Sequence, residues 1–128
     1  MLMNSKPVVW VAAMLRRRPW VGVVVWGAAI LAVSSLPHPG RGLHLFPGCD
    51  KVLHFIEYSI LGAALRYWSG TLNPLFPLGG AGFAALDEIH QRYVPGRDAS
   101  PWDWAADLAG IVIGFILAGS LWRKRDSG

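Results

Sequence analysis

Apolar runs alternate with short polar islands along the whole chain. Four runs, about 20–36, 51–68, 73–91 and 102–122, reach the ~17–25 residues that a membrane-spanning helix needs. Val8–Leu15 is too short for that. With Trp10 and the Arg16-Arg17-Arg18 cluster it reads as a segment lying on a membrane surface, or as a terminus without fixed structure. Pro37 and Pro39 stop the first span. Asp50 reads as the N-cap of the second. Asn73 caps the third, with Pro74 at the first helical position, where a missing N–H costs nothing. Pro95-Gly96 reverses the chain, and Ser100-Pro101-Trp102-Asp103 reads as a capping box opening the fourth span. There, Ala106, Gly110, Gly114 and Ala118 recur every four residues. That stripe has almost no side chains and should touch another helix backbone. The fold class expected is all-α: a polytopic membrane protein with a four-transmembrane-helix bundle. It divides into an interfacial or cytoplasmic segment 1–19, a transmembrane domain 20–122 and a basic tail 123–128.

Composition agrees with this pattern. Of 128 residues, 53% are hydrophobic and 16% charged, with mean hydropathy +0.36; a soluble domain carries ~25% charge. The net charge of +4 would suit nucleic acid. Here the cations flank apolar runs, so the expected partner is a lipid bilayer and not nucleic acid. The single cysteine, Cys49, allows no internal disulfide and no thiolate metal site. Ala32-Val33-Ser34-Ser35 ends a run that resembles a signal peptide, but further spans follow it. Lys6, Arg16–Arg18, Arg66 and Arg123–Arg125 put eight cations on one side of the map; Arg41, Lys51, Arg92 and Arg97 put four on the other. The bias predicts both termini in the cytoplasm of a bacterial cell, with a multi-pass chain in its inner membrane.

The remaining polar residues then fall on the outer side. Seven of the eight carboxylates, all but Asp126, lie in that half, with all four histidines. Asp50 and His54, His54 and Tyr58, Asp87 and Gln91, and Asp103 and Asp107 are each four apart and share a helix face. Glu57 and Asp107 are the deepest acids. Ionisable groups at such depth usually face the bundle interior in pairs. Individually, Asp50 and Asp103 read as caps, His54 as a hydrogen-bonded helix residue, and His38, His44 and His90 as solvated. Their gathering at one end points to a site. His54, Glu57, Asp87, Glu88 and Asp107 are the candidates for chemistry; Asp50, Lys51, Tyr58, Gln91, Arg97 and Asp103 are the candidates for ligand binding. Arg97 is expected to turn back over the bundle to meet Asp87 or Glu88. Lys51, Arg92 and Arg97 could hold the phosphate of an anionic lipid or a cell-wall precursor headgroup. Oxygen and imidazole groups could also bind a divalent metal, but no metal-type spacing is present and no residue is assigned as a ligand. No cofactor is indicated.

Asp50-Lys51-x-x-His54-Phe55-x-x-Tyr58, Asp87-Glu88-x-x-Gln91-x-x-x-Pro95-x-Arg97 and Asp103-x-x-x-Asp107-x-x-Gly110 together resemble the VanZ-like family of bacterial membrane proteins. The match covers roughly 45–118. The resemblance implies a small integral membrane protein acting on the cell envelope, with antibiotic resistance, to the glycopeptide teicoplanin, as the family's namesake property. It implies no particular reaction. Asp107 stands where the family usually has Asn. Two functions follow: binding or modifying an envelope molecule at the outward site, or a structural and interaction role in which the polar cluster only locks helix ends. In the second, the small stripe of the fourth span would pack on a partner or a second copy. A proton or ion pathway is disfavoured, because the inner half has almost no polar residues to complete it.

Overall fold

The computed structural model describes residues 6–37 and 46–126, with side chains described for 7–37 and 46–121. His38, Arg41 and His44, and the side chains of Lys6 and Arg123–Arg125, therefore lie outside the described part. Five helices follow in order: α1 (Lys6–Arg17), α2 (Trp20–Ser34), α3 (Cys49–Ser69), α4 (Leu75–Gln91) and α5 (Pro101–Asp126). Among the described residues there is no strand. The all-α class agrees with the sequence, but the count is one higher, because the segment before Pro19 forms its own helix. A proline disfavours helical backbone at the residue before it, which separates α1 from α2. Among the described residues, Pro101–Leu121 is the stretch long and apolar enough to cross a membrane; α2 is apolar but has 15 residues.

Several boundaries follow the expected chemistry. Asn73 Oδ1 accepts the Leu75 N–H at 3.0 Å. Gly96, at φ 79°, follows Pro95 in a turn closed by Arg97 N–H to the Val94 carbonyl at 3.2 Å. This is a type II turn, whose third position favours glycine. Others correct the sequence reading. Asp50 is not a cap: α3 begins at Cys49, and Gly48, with φ 82°, precedes it without a side-chain cap. Only half of the capping box forms. Ser100 Oγ accepts the Trp102 N–H at 3.2 Å, while the Asp103 side chain turns to Lys51. The first apolar helix ends at Ser34, before Leu36, and α5 runs on through the basic tail to Asp126.

The packing centres on α3 against α5. Lys51 faces Asp103, His54 faces Asp107, and Arg66 faces Gly119, so the two helices run parallel. Helix α4 returns between them in sequence, and α2 lies on α3 and α4. Gly110 and Gly114 allow the parallel approach. A β-carbon on Gly114 would meet the Ser59 carbonyl, one on Gly110 the Phe55 carbonyl, and one on Gly62 the Ile111 carbonyl. The small stripe thus meets a helix backbone as expected, and that helix is α3 of the same chain. The centre of the bundle is apolar, built on Ile30, Tyr58, Leu61, Leu65, Ile111 and Phe115, while its exterior is apolar as well and its polar groups are buried at one end. Val25, Leu78, Leu86 and Leu121 are each more than 60% exposed, while Asp87, Glu88, Gln91, Asp103 and Asp107 are buried.

Gly114→Ala forces its new methyl into backbone that cannot rotate away. A loss of at least about 1–3 kcal/mol is expected, read as a lower melting temperature of the detergent-purified protein. Gly82, with open space around it, is the control: Gly82→Ala should leave the melt unchanged or raise it slightly, since alanine is the better helix former.

Candidate functional site

The N-terminal ends of α3 and α5 and the C-terminal ends of α2 and α4 meet at one end of the bundle. The residues expected there come together, with one displacement. His54 Nδ1 lies 2.8 Å from Asp107 Oδ1, and Asp107 is fully buried. Beside this pair, Tyr58 donates its hydroxyl to Asp87 Oδ2 at 2.9 Å, and Gln91 Nε2 donates to the same oxygen at 3.1 Å. The Asp87–Gln91 bond is the four-residue spacing put to use within one helix. Glu88 is buried next to them and shares a ligand-sized space with His54 and Asp107. Glu57 is half-buried, with His54, Asp87, Asp107 and Arg97 as its charged neighbours.

Arg97 is the displaced residue. It does fold back over the bundle, but it does not pair directly with Asp87 or Glu88. Its Nη2 donates to the Val33 carbonyl at 2.9 Å, and its Nη1 to Gln91 Oε1 at 3.5 Å. Gln91 therefore stands between the guanidinium and Asp87. The physical reason is the end of α2, where the Val33 carbonyl lies in the last turn, outside the regular helical ladder, and accepts the guanidinium beside the Leu36 N–H. Burial pulls the Arg97 pKa below the usual arginine value, while Asp87, Glu57, Glu88 and Asp103 act the other way. Arginine keeps its charge across this range. Its Nε is buried without a partner.

Lys51 takes the role first given to Arg97. Its Nζ lies 2.9 Å from Asp50 and 3.2 Å from Asp103 Oδ1, the second an ion pair without hydrogen-bond geometry. Among the described residues the ion pairs are these two and His54–Asp107. His90, expected in solvent, is exposed but lies 3.0 Å from Ser35 Oγ. Cys49 is buried, as a small apolar residue would be. Two participants had no usable signal in the sequence. Trp26 Nε1 donates to the Glu57 carbonyl at 2.8 Å, and Val33 contributes only its backbone. Phe83, whose ring packs 6.3 Å from that of Tyr58, also lines an apolar groove of about 670 Å³ between α2, α3 and α4.

Fold and site together define a small helical-bundle protein whose polar residues are buried at one end beneath an apolar exterior. The family model for VanZ/LLP1 matches residues 3–123, and the chain belongs to that family. No curated protein and no solved structure matches it.

Lys51 and Asp50 separate the energetics of the two ion pairs. Asp50 is 55% exposed and Asp103 only 7%. Asp50→Asn should leave the melting temperature nearly unchanged, because exposed pairs contribute little. Lys51→Met leaves Asp103 buried without its cation and should cost about 1–3 kcal/mol. Equal melts for the two variants would show that Lys51 does not stabilise Asp103.

Proposed function

We propose that this VanZ/LLP1-family protein crosses a bacterial inner membrane four times, with α2 to α5 as the spans, and binds or modifies a cell-envelope molecule at its outward-facing polar end. The observation that carries the reading is the convergence of buried polar side chains from α3, α4 and α5 on His54, with Arg97 closing over them. Such groups are costly in lipid and usually mark a functional site. The apolar outer faces of the helices support membrane placement. The groove beside Phe83 supports a lipid-linked molecule, its chain along the groove and its phosphate-bearing headgroup near Arg97, whose unpartnered Nε suits an anion. A peptidoglycan-related headgroup on such a carrier would connect the site to teicoplanin resistance. In this reading His54 or a neighbouring carboxylate moves a proton on the bound headgroup.

The second reading is structural, and the Tyr58–Asp87–Gln91–Arg97 chain favours it: a connected network of this kind can lock helix ends together. Retention of a polyprenyl pyrophosphate by the detergent-purified protein, read by native mass spectrometry, separates the two. The site reading expects Arg97→Ala and His54→Ala to lose the lipid while membrane abundance stays near normal. Glu57→Gln tests whether that acid belongs to the site. Loss of lipid only in step with loss of protein would favour the structural lock.

The four-span topology is tested separately. Reporter fusions after Gly128 and within 38–45 should report opposite compartments, with the C-terminus cytoplasmic. An extracellular C-terminus would overturn the orientation and the outward-facing site with it.

A further inference from the structure

We infer that His54, Glu88 and Asp107 form a binding site for one divalent transition-metal ion, of the Zn²⁺ or Mn²⁺ class. The inference deepens the reading of a ligand site at this end, resting on it for the site's purpose and on the donor geometry for the metal.

Three helices each bring one donor. His54 comes from α3, Glu88 from α4 and Asp107 from α5, and one ligand atom of each lies within 4.8 Å of the other two. Glu88 is 7% exposed and Asp107 fully buried. Glu88 Oε1 and Asp107 Oδ2 are both buried with no hydrogen-bond partner. A buried carboxylate oxygen without a donor is costly, and here two of the three grouped residues each carry one, from different helices. The nearby cations are committed elsewhere. Lys51 is held by Asp50 and Asp103, and Arg97 by the Val33 carbonyl and Gln91. Asp87 is already satisfied at one oxygen by Tyr58 and Gln91. Glu88 Oε1 and Asp107 Oδ2 thus have no lysine or arginine partner, and with His54 they belong to a group of metal-ligand chemistry.

The dimensions fit. Donors ~2.0–2.2 Å from a common ion lie roughly 3–3.5 Å apart. The His54–Asp107 contact of 2.8 Å needs only a small opening to admit the ion, with Glu88 closing from the third side. Imidazole with carboxylates suits Zn²⁺ or Mn²⁺ better than an all-oxygen cation such as Ca²⁺. Three protein donors leave a coordination position open. There a metal-bound water or a phosphate oxygen of the headgroup would sit, and the ion would polarise it.

Equilibrium dialysis of the chelator-stripped, detergent-purified protein against Zn²⁺, followed by elemental analysis, tests this. One ion per chain is expected, with affinity reduced at least about tenfold in His54→Ala, Glu88→Gln and Asp107→Asn. Asp98→Asn, at an exposed acid outside this group, should bind as the natural chain does. Co²⁺ loading adds a visible-absorption signature of an imidazole-bound ion, expected in the natural chain and absent from His54→Ala. If Asp107→Asn fails to fold, Glu88→Gln and His54→Ala carry the same test. No stoichiometric ion, or full binding in His54→Ala, overturns the inference. The polyprenyl pyrophosphate measurement on the same samples keeps the failures apart. Lipid retained without metal removes only the metal site, while metal bound without lipid removes only the headgroup reading.

Discussion

Everything at the polar end depends on how closely two helix backbones approach. Gly62 on α3 and Gly110 and Gly114 on α5 leave no room for a side chain between them. Close packing of this kind is driven by van der Waals contact and is unforgiving of added volume. The backbone contacts of Gly62 with Ile111, Gly110 with Phe55 and Gly114 with Ser59 therefore set the register at the helix ends. With that register, His54 faces Asp107 and Lys51 faces Asp103. A shift of one residue along either helix would rotate these partners away from each other by ~100°.

The polar end is also a problem in charge. Asp87, Glu88, Asp103 and Asp107 are all buried within one small volume, and Glu57 is half-buried beside them. The structure answers each acid differently. Asp87 receives two neutral donors, Asp103 receives a lysine, and Asp107 receives an imidazole on one oxygen. Like charges at such short range disfavour joint ionisation unless cations or donors intervene. Arg97 serves this balance at one remove, through Gln91. The geometry explains why a glutamine stands at that position: only a side chain with both a donor and an acceptor can pass the contact from the guanidinium to the carboxylate.

Much of this was legible in the sequence for local reasons. The apolar runs, the Pro95-Gly96 turn, the Asn73 cap and the four-residue stripe of small residues depend on neighbours close along the chain. The gathering of His54, Asp87, Asp103 and Asp107 at one end followed from chain direction alone. What failed depended on contacts between distant segments. Asp50 has the chemistry of a cap, but Gly48 already sets the start of α3, and Lys51 captures the carboxylate. Arg97 has the charge to meet Asp87, but the carbonyl of Val33 that it meets lies 64 residues away in sequence and no pattern marks it. The His54–Glu88–Asp107 grouping has no fixed spacing, because its members belong to three helices.

The two sides of the bundle differ in compliance. On one side α3 and α5 touch backbone to backbone, so separating them means moving whole helices against close-packed atoms. On the other, α2 joins the buried core through Ile30, and its polar end is tied by hydrogen bonds from Trp26 to Glu57, Arg97 to Val33, and Ser35 with His90. The last two are exposed to the surroundings. Contacts of that kind open at far lower cost than a packed core. In the proposed reading, a molecule at His54 would have the close-packed α3–α5 pair on one side and, on the other, the end of α2, whose exposed hydrogen bonds are the cheaper ones to open.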